Sequence, residues 1–134
     1  MNTGSRPSLW LSLGSVMAGT AVAAGAFGAH SLKGMLDGSM LAVFDTAVRY
    51  QMYHALGLCT VAWAADRHPA KAWSIIGWCF VAGIILFSGS LYVISLGGFT
   101  WLGGFTPLGG LSFLAGWSLL ARHAWQTRKR PSDQ

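Results

Sequence analysis

Residues 72–121, AWSIIGWCFVAGIILFSGSLYVISLGGFTWLGGFTPLGGLSFLAGWSLLA, run without a single charged side chain. A helix that crosses a bilayer needs roughly 20 apolar residues, so this stretch holds two of them. The break between the two is written GGFTWLGGFTP (97–107), where four glycines and a proline crowd together as in a tight turn outside the membrane. Thr106 is a good N-cap and Pro107 suits the first helical position, where its missing N–H costs nothing. The reading is one span at 72–96 and another at 106–125.

The same signal extends outward. Residues 8–29 also lack a charge, which places a span at about 8–30. A further span at about 47–65 has Arg49 near its outer end, with an interfacial, amphipathic start of the helix at about 39–49. Asp37 or Ser39 can cap that helix, and DRHPA (66–70) ends it, since proline and its neighbour resist helix continuation. The expected fold is therefore all-α, a single-domain integral membrane bundle of four transmembrane helices. Composition agrees: 53% of the 134 residues are hydrophobic and 10% charged, where a soluble domain carries about a quarter charged.

The net charge of +5 does not indicate nucleic acid, because the basic residues sit at the ends of apolar runs. In a four-span arrangement Arg6, Arg67, Lys71, Arg122, Arg128, Lys129 and Arg130 share one side, and Lys33 and Arg49 the other. Positive residues accumulate on the cytoplasmic side, so both termini are expected in the cytoplasm, with the protein in a bacterial inner membrane. A signal peptide competes for the first segment, because Arg6, the apolar run and AVAAGA (21–26) resemble its three parts. Cys59 and Cys79 fall inside expected spans with no C-x-x-C spacing, and read as small buried hydrophobes.

Two patterns mark the helix faces. Ala18, Ala21, Gly25 and Gly28 form a stripe of small side chains that permits close packing in lipid. In FDTAVRYQMYHALGL (44–58), Thr46, Arg49, Tyr50, Tyr53 and Gly57 occupy about 100° of helix, with His54 at the edge of the arc. A polar face in lipid turns toward the bundle or toward water, and an intramembrane ionisable group is a functional candidate. Arg49 follows Asp45 by four residues, the favourable order for an ion pair, and with the N-terminus of the last span it could alternatively contact an anion such as a lipid phosphate. His30 and His54 are expected at similar depth, where two histidines can ligate haem or hydrogen-bond between helices. Ser88, Tyr92 and Ser95 share one face of the third span, and their hydroxyls can bond to the second.

Catalytic arrangements are poorly served. There is no glutamate, and Asp37, Asp45, Asp66 and Asp133 all lie outside the apolar spans. LFSGSLY (86–92) lacks the G-x-S-x-G pattern and its strand-to-helix turn, and the glycines of LGGFTPLGG (102–110) lack the lysine of a phosphate loop.

With AFGAH (26–30), FDTAVRYQMYHALGL, LFSGSLY, TPLGG (106–110) and AGW (115–117), the chain resembles a family of small bacterial inner-membrane proteins, domain-of-unknown-function family 423, with eukaryotic relatives of the transmembrane protein 256 type. The likeness spans about residues 9 to 122. It implies a four-span membrane protein in which AFGAH is retained, and it marks His30, Arg49, Tyr50, Gln51, Tyr53, His54, Ser88, Ser90, Tyr92, Thr106 and Pro107 as signature positions without assigning them roles. Gly57 stands where the family usually has alanine.

The function these readings point to is non-enzymatic: a membrane protein holding a lipid or other amphiphile in a polar outer-leaflet pocket made by His30, Arg49, Tyr50, Tyr53, His54, Ser88, Tyr92 and Thr106. No cofactor or metal is called for. Rival readings are a bis-histidine haem or quinone-linked electron carrier, a small transporter, and an accessory subunit of a larger complex. The expected partners are membrane lipids, a second copy or that complex, and not nucleic acid.

Overall fold

The computed structural model describes residues 6–128 and is all-helical. Four rods follow one another up and down: α1 (Pro7–His30), α2 (Gly38–Arg67), the pair α3 (Ala72–Gly83) and α4 (Ser90–Gly97), and α5 (Thr106–Arg128). Between α3 and α4 the helix does not stop but widens into a π-helical segment, Ile84–Gly89. Such segments interrupt α-helices mostly as single turns. Short 3-10 turns, Leu32–Gly34 and Thr100–Gly104, occupy the links at one end of the bundle.

Local chemistry explains the boundaries. Asp37 caps α2, its carboxylate accepting from the Ser39 and Met40 backbone N–H groups and the Ser39 hydroxyl. α2 ends at Arg67 as expected, and the indole N–H of Trp73 donates to the His68 carbonyl at 2.7 Å, pinning the tight turn into α3. α4 ends on Gly98, whose φ of 70° lies in the left-handed region that glycine adopts without steric cost. Thr106 does not act as the expected cap. It is already the first residue of α5, and its hydroxyl pairs with Ser90 of α4 at 2.7 Å.

α2 is the central rod, packed on α1, α3 and α4, while α5 lies against α3 and the π-helical segment. The small-residue stripe of α1 packs within the chain, on α2. Gly28 faces the Phe44 ring and Gly25 faces Val48. Gly14 extends the stripe, and a Cβ there would fall 2.8 Å from the Ala55 carbonyl oxygen. At the other end Trp10, fully buried, lies on Gly77 and meets Trp78 edge-on. Trp73 is also buried, in the core cluster with Trp10, Phe80 and Phe113.

Three rods are long and apolar enough to cross a membrane: Pro7–Gly34, Ala72–Gly97 and Thr100–Thr127. α2 is longer than α3 or α5, at 30 residues, but falls short in hydropathy because it carries the polar residues of 44–58. Its central position accounts for part of this, since neighbouring helices cover Gln51 and His54, while Asp45, Arg49, Tyr50 and Tyr53 remain exposed. The outward surface of the bundle is correspondingly greasy, with Leu11, Val16, Val22, Ile75, Ile85 and Leu114 among its exposed side chains.

Candidate functional site

Two polar arrangements occupy the two sides of α2. The first is a closed hydrogen-bond chain. Gln51 is 8% exposed, and its Nε2 donates at 2.9 Å to both the Met17 carbonyl and Thr20 Oγ1 of α1. The Met17 carbonyl can only accept, which fixes the amide orientation and leaves Oε1 to take the Tyr92 hydroxyl of α4 at 2.9 Å. Thr20 passes its own proton to the carbonyls of Val16 and Met17 at 3.0 Å. α1, α2 and α4 are thus tied together at one level.

The second arrangement is open. α5 diverges from α2 where Tyr50, Tyr53 and His54 face Pro107, Gly110, Leu111, Phe113, Leu114 and Trp117, and Phe87 forms the back. The groove between them has a volume of about 780 Å³, within the roughly 300–1,000 Å³ of small-molecule sites. Six of its ten lining residues carry aromatic rings. His54 is 4% exposed, its ring lying on Phe113 with centroids 3.4 Å apart and planes 8° from parallel. Tyr50 packs on Phe87 at 4.6 Å.

The state of the His54 ring follows from its neighbour. Nδ1 lies 2.7 Å from the Tyr50 carbonyl oxygen, which has no proton to give, so Nδ1 carries the hydrogen. In the neutral ring Nε2 is then an acceptor, and it has no partner among the described residues. Among the described residues the sealed polar side-chain atoms without partners are Ser88 Oγ and His123 Nε2. His54 Nε2 is not among them, and His54 lines the groove.

The single expected cluster is therefore divided. Tyr50, Tyr53 and His54 meet in the groove, Tyr92 belongs to the Gln51 chain, and Thr106 is clipped to Ser90. Ser88 is fully buried in the π-helical segment and reaches neither. Arg49 is exposed and paired with Asp45, lining none of the groove. The polar arc as a whole does not face the interior either: Tyr53 is 54% exposed. The reason is packing, since α2 gives its small and apolar face, with Gln51, to α1.

His30 and His54 do not share a depth. Gly28 faces Phe44 and Gly14 faces Ala55, so His30 lies near the level of residue 42. That is roughly 18 Å along the axis from His54 at 1.5 Å per residue. His30 is exposed at the end of α1, and the two rings cannot share a haem iron. No group of three metal-ligating side chains occurs among the described residues. The sequence reading missed Phe87, Leu111, Phe113, Leu114 and Trp117. A usable signal existed in the spacing of 110, 113, 114 and 117, which places them on one face of α5.

Comparison with known proteins gives a consistent picture. Residues 24–110 match the family profile described as protein of unknown function (DUF423). The chain is similar to the UPF0382 membrane protein YwdK of Bacillus subtilis, 47% identical over 89 residues, covering 66% of this chain and 72% of that one. A UPF0382 membrane protein of Staphylococcus haemolyticus is 42% identical over 89 residues, 66% of this chain and 71% of its own. One from Haemophilus influenzae is 43% identical over 75 residues, 55% and 59% of the two chains. No solved structure matches.

Proposed function

The chain belongs to the DUF423 family of membrane proteins, and on that footing we propose that it is a four-span protein of the bacterial inner membrane that holds an amphiphile in the lateral groove between α2 and α5. The span count rests on α2 being 30 residues long and antiparallel to α1 along its length. At 1.5 Å per residue it is about 45 Å long, more than the roughly 30 Å hydrocarbon layer. Both termini face the cytoplasm, on the strength of the basic residues gathered at that end.

The observation that carries the binding role is the groove. A purely structural bundle gains by filling such a gap, because each lost contact costs dispersion energy. Here ring side chains wall a space of about 780 Å³ instead, and a nearly buried imidazole keeps one nitrogen unpaired beside it. Ligand sites have this composition: mostly apolar and aromatic walls with a few placed polar groups. This composition supports recognition of a molecule as the role of the groove.

Native mass spectrometry of the purified protein, with the extracted small molecules identified, tests the proposal. Leu114 is 65% exposed on the groove wall, so Leu114→Trp fills the groove without entering the core. The expected result is a defined adduct on the natural sequence that Leu114→Trp loses and Arg49→Ala keeps. Equal adducts on all three, or none on any, overturn the groove as a site.

A further inference from the structure

The groove is unusual in what it lacks. None of its ten lining residues carries a formal charge, and Arg49, the basic residue adjoining Tyr50 in the chain, is held by Asp45. A phosphate or carboxylate entering it would find no cation. It would also face the lone pair of His54 Nε2, since Nδ1 already holds the ring proton against the Tyr50 carbonyl. The expectation of a lipid phosphate contact at Arg49 therefore has no counterpart in this groove.

Depth points the same way. His54 is 16 residues into α2, about 24 Å from its start. Its neighbours Phe80 and Phe113 belong to the middle turns of their own rods, and its level on α1 is that of residues 14–17. In a bundle spanning the membrane this is near mid-bilayer, where carrying a charge is expensive. A neutral group that can give a proton to an acceptor is favoured there. Leaving that acceptor unmatched against a bound molecule costs the occupant a desolvation penalty.

Resting on the groove reading above, we infer that the occupant is an uncharged amphiphile with a hydrogen-bond donor, its O–H or N–H directed to His54 Nε2. Tyr50 and Tyr53 add hydroxyls that can take either role, so they admit a second polar atom without setting the sign of the first. The apolar part of the molecule lies along Phe113, Leu114 and Trp117 and leaves sideways into the bilayer. Long-chain alcohols and other lipids with a neutral hydroxyl or N–H head have this chemistry, whatever pool supplies them.

The test uses the full chain in phosphatidylcholine nanodiscs, with empty discs as the background, and three probes of equal chain length: 1-hexadecanol, its methyl ether and hexadecanoate. Saturable binding of the alcohol is expected, with the ether weaker by at least about fivefold and the acid weaker still. His54→Phe keeps a ring on Phe113 and is expected to bring the alcohol down to the level of the ether. Equal binding of alcohol and ether to the natural sequence, tightest binding of the acid, or an alcohol preference surviving in His54→Phe overturns the inference and leaves the groove standing. The alcohol–ether ratio on the natural sequence decides the matter even where His54→Phe does not fold. Failure of all three probes to bind saturably, or binding indifferent to Leu114→Trp, overturns the groove itself and this inference with it.

Discussion

Gln51 of α2 and Tyr92 of α4 are joined by a 2.9 Å hydrogen bond whose acceptor is oriented by a third helix, because the Met17 carbonyl dictates which end of the amide faces Tyr92. Interhelical polar contacts in membranes contribute about 0.6 kcal/mol on average and up to about 1.7. Tyr92→Phe is accordingly expected to cost about 1 kcal/mol, and Gln51→Leu more, since it strands Tyr92 and severs α1 as well. The double variant should cost less than the sum, because the residues share one network. Reversible unfolding in mixed micelles measures all three, and strict additivity would show that the chain is not a unit.

Glycine substitutions should separate packed faces from lipid-facing ones. A Cβ on Gly109 would press against the backbone nitrogen of Phe87, which cannot move without displacing the π-helical segment. Gly109→Ala is expected to destabilise by about 1–3 kcal/mol. Nothing lies within 4 Å of a Cβ on Gly19, so Gly19→Ala should stabilise by about 0.5–1 kcal/mol through helix propensity. Thermal melting of the two variants beside the natural protein checks the opposite signs.

Asp37 makes the helix start sensitive to acid. The Ser39 hydroxyl first, then the Met40 and Ser39 backbone N–H groups, hold its carboxyl below the ordinary value. A depressed folded value means the unfolded state binds the proton more readily, so the stabilisation is present above the ordinary carboxylate range and fades as pH falls through the folded value. Asp37→Ala should therefore melt earlier than the natural sequence at pH 7, with the gap narrowing as pH drops to about 3. A gap that is constant with pH would show that the carboxylate is not what caps α2.

The topology yields to labelling. With Cys59 and Cys79 replaced by alanine, Lys33→Cys and Lys71→Cys place a thiol at the two ends of α2, on residues that are exposed. A membrane-impermeant maleimide should modify Lys33→Cys in spheroplasts and Lys71→Cys only after permeabilisation. Modification of both from the same side would mean that α2 does not cross.

Much of the fold was legible because lipid imposes a simple grammar of length and charge. The rods at 7–30, 72–97 and 106–128 stand within a few residues of the runs that announced them, and Asp37 caps where capping chemistry required. The π-helical segment left no mark, as IILFSG reads like any apolar turn. The site was legible only in part. Tyr50, Tyr53 and His54 were visible as polar exceptions in a greasy helix, but half of the groove is built from ordinary apolar residues of α5, which look like lipid contacts until their partner is known. His54 was misplaced because depth was counted from the expected start of the span at 47. α2 begins at Gly38, which moves His54 from the edge of the bundle to its middle.

Trp10 lies in a socket whose floor is Gly77 and whose side is Trp78, residues the ribosome reaches only after α1 and α2 are complete. The first hairpin can zip by itself, since its glycines need nothing but α2. Its tryptophan cannot be seated until α3 arrives. The first helix therefore completes its packing only with a segment made two helices later, which ties the near end of the chain to its middle.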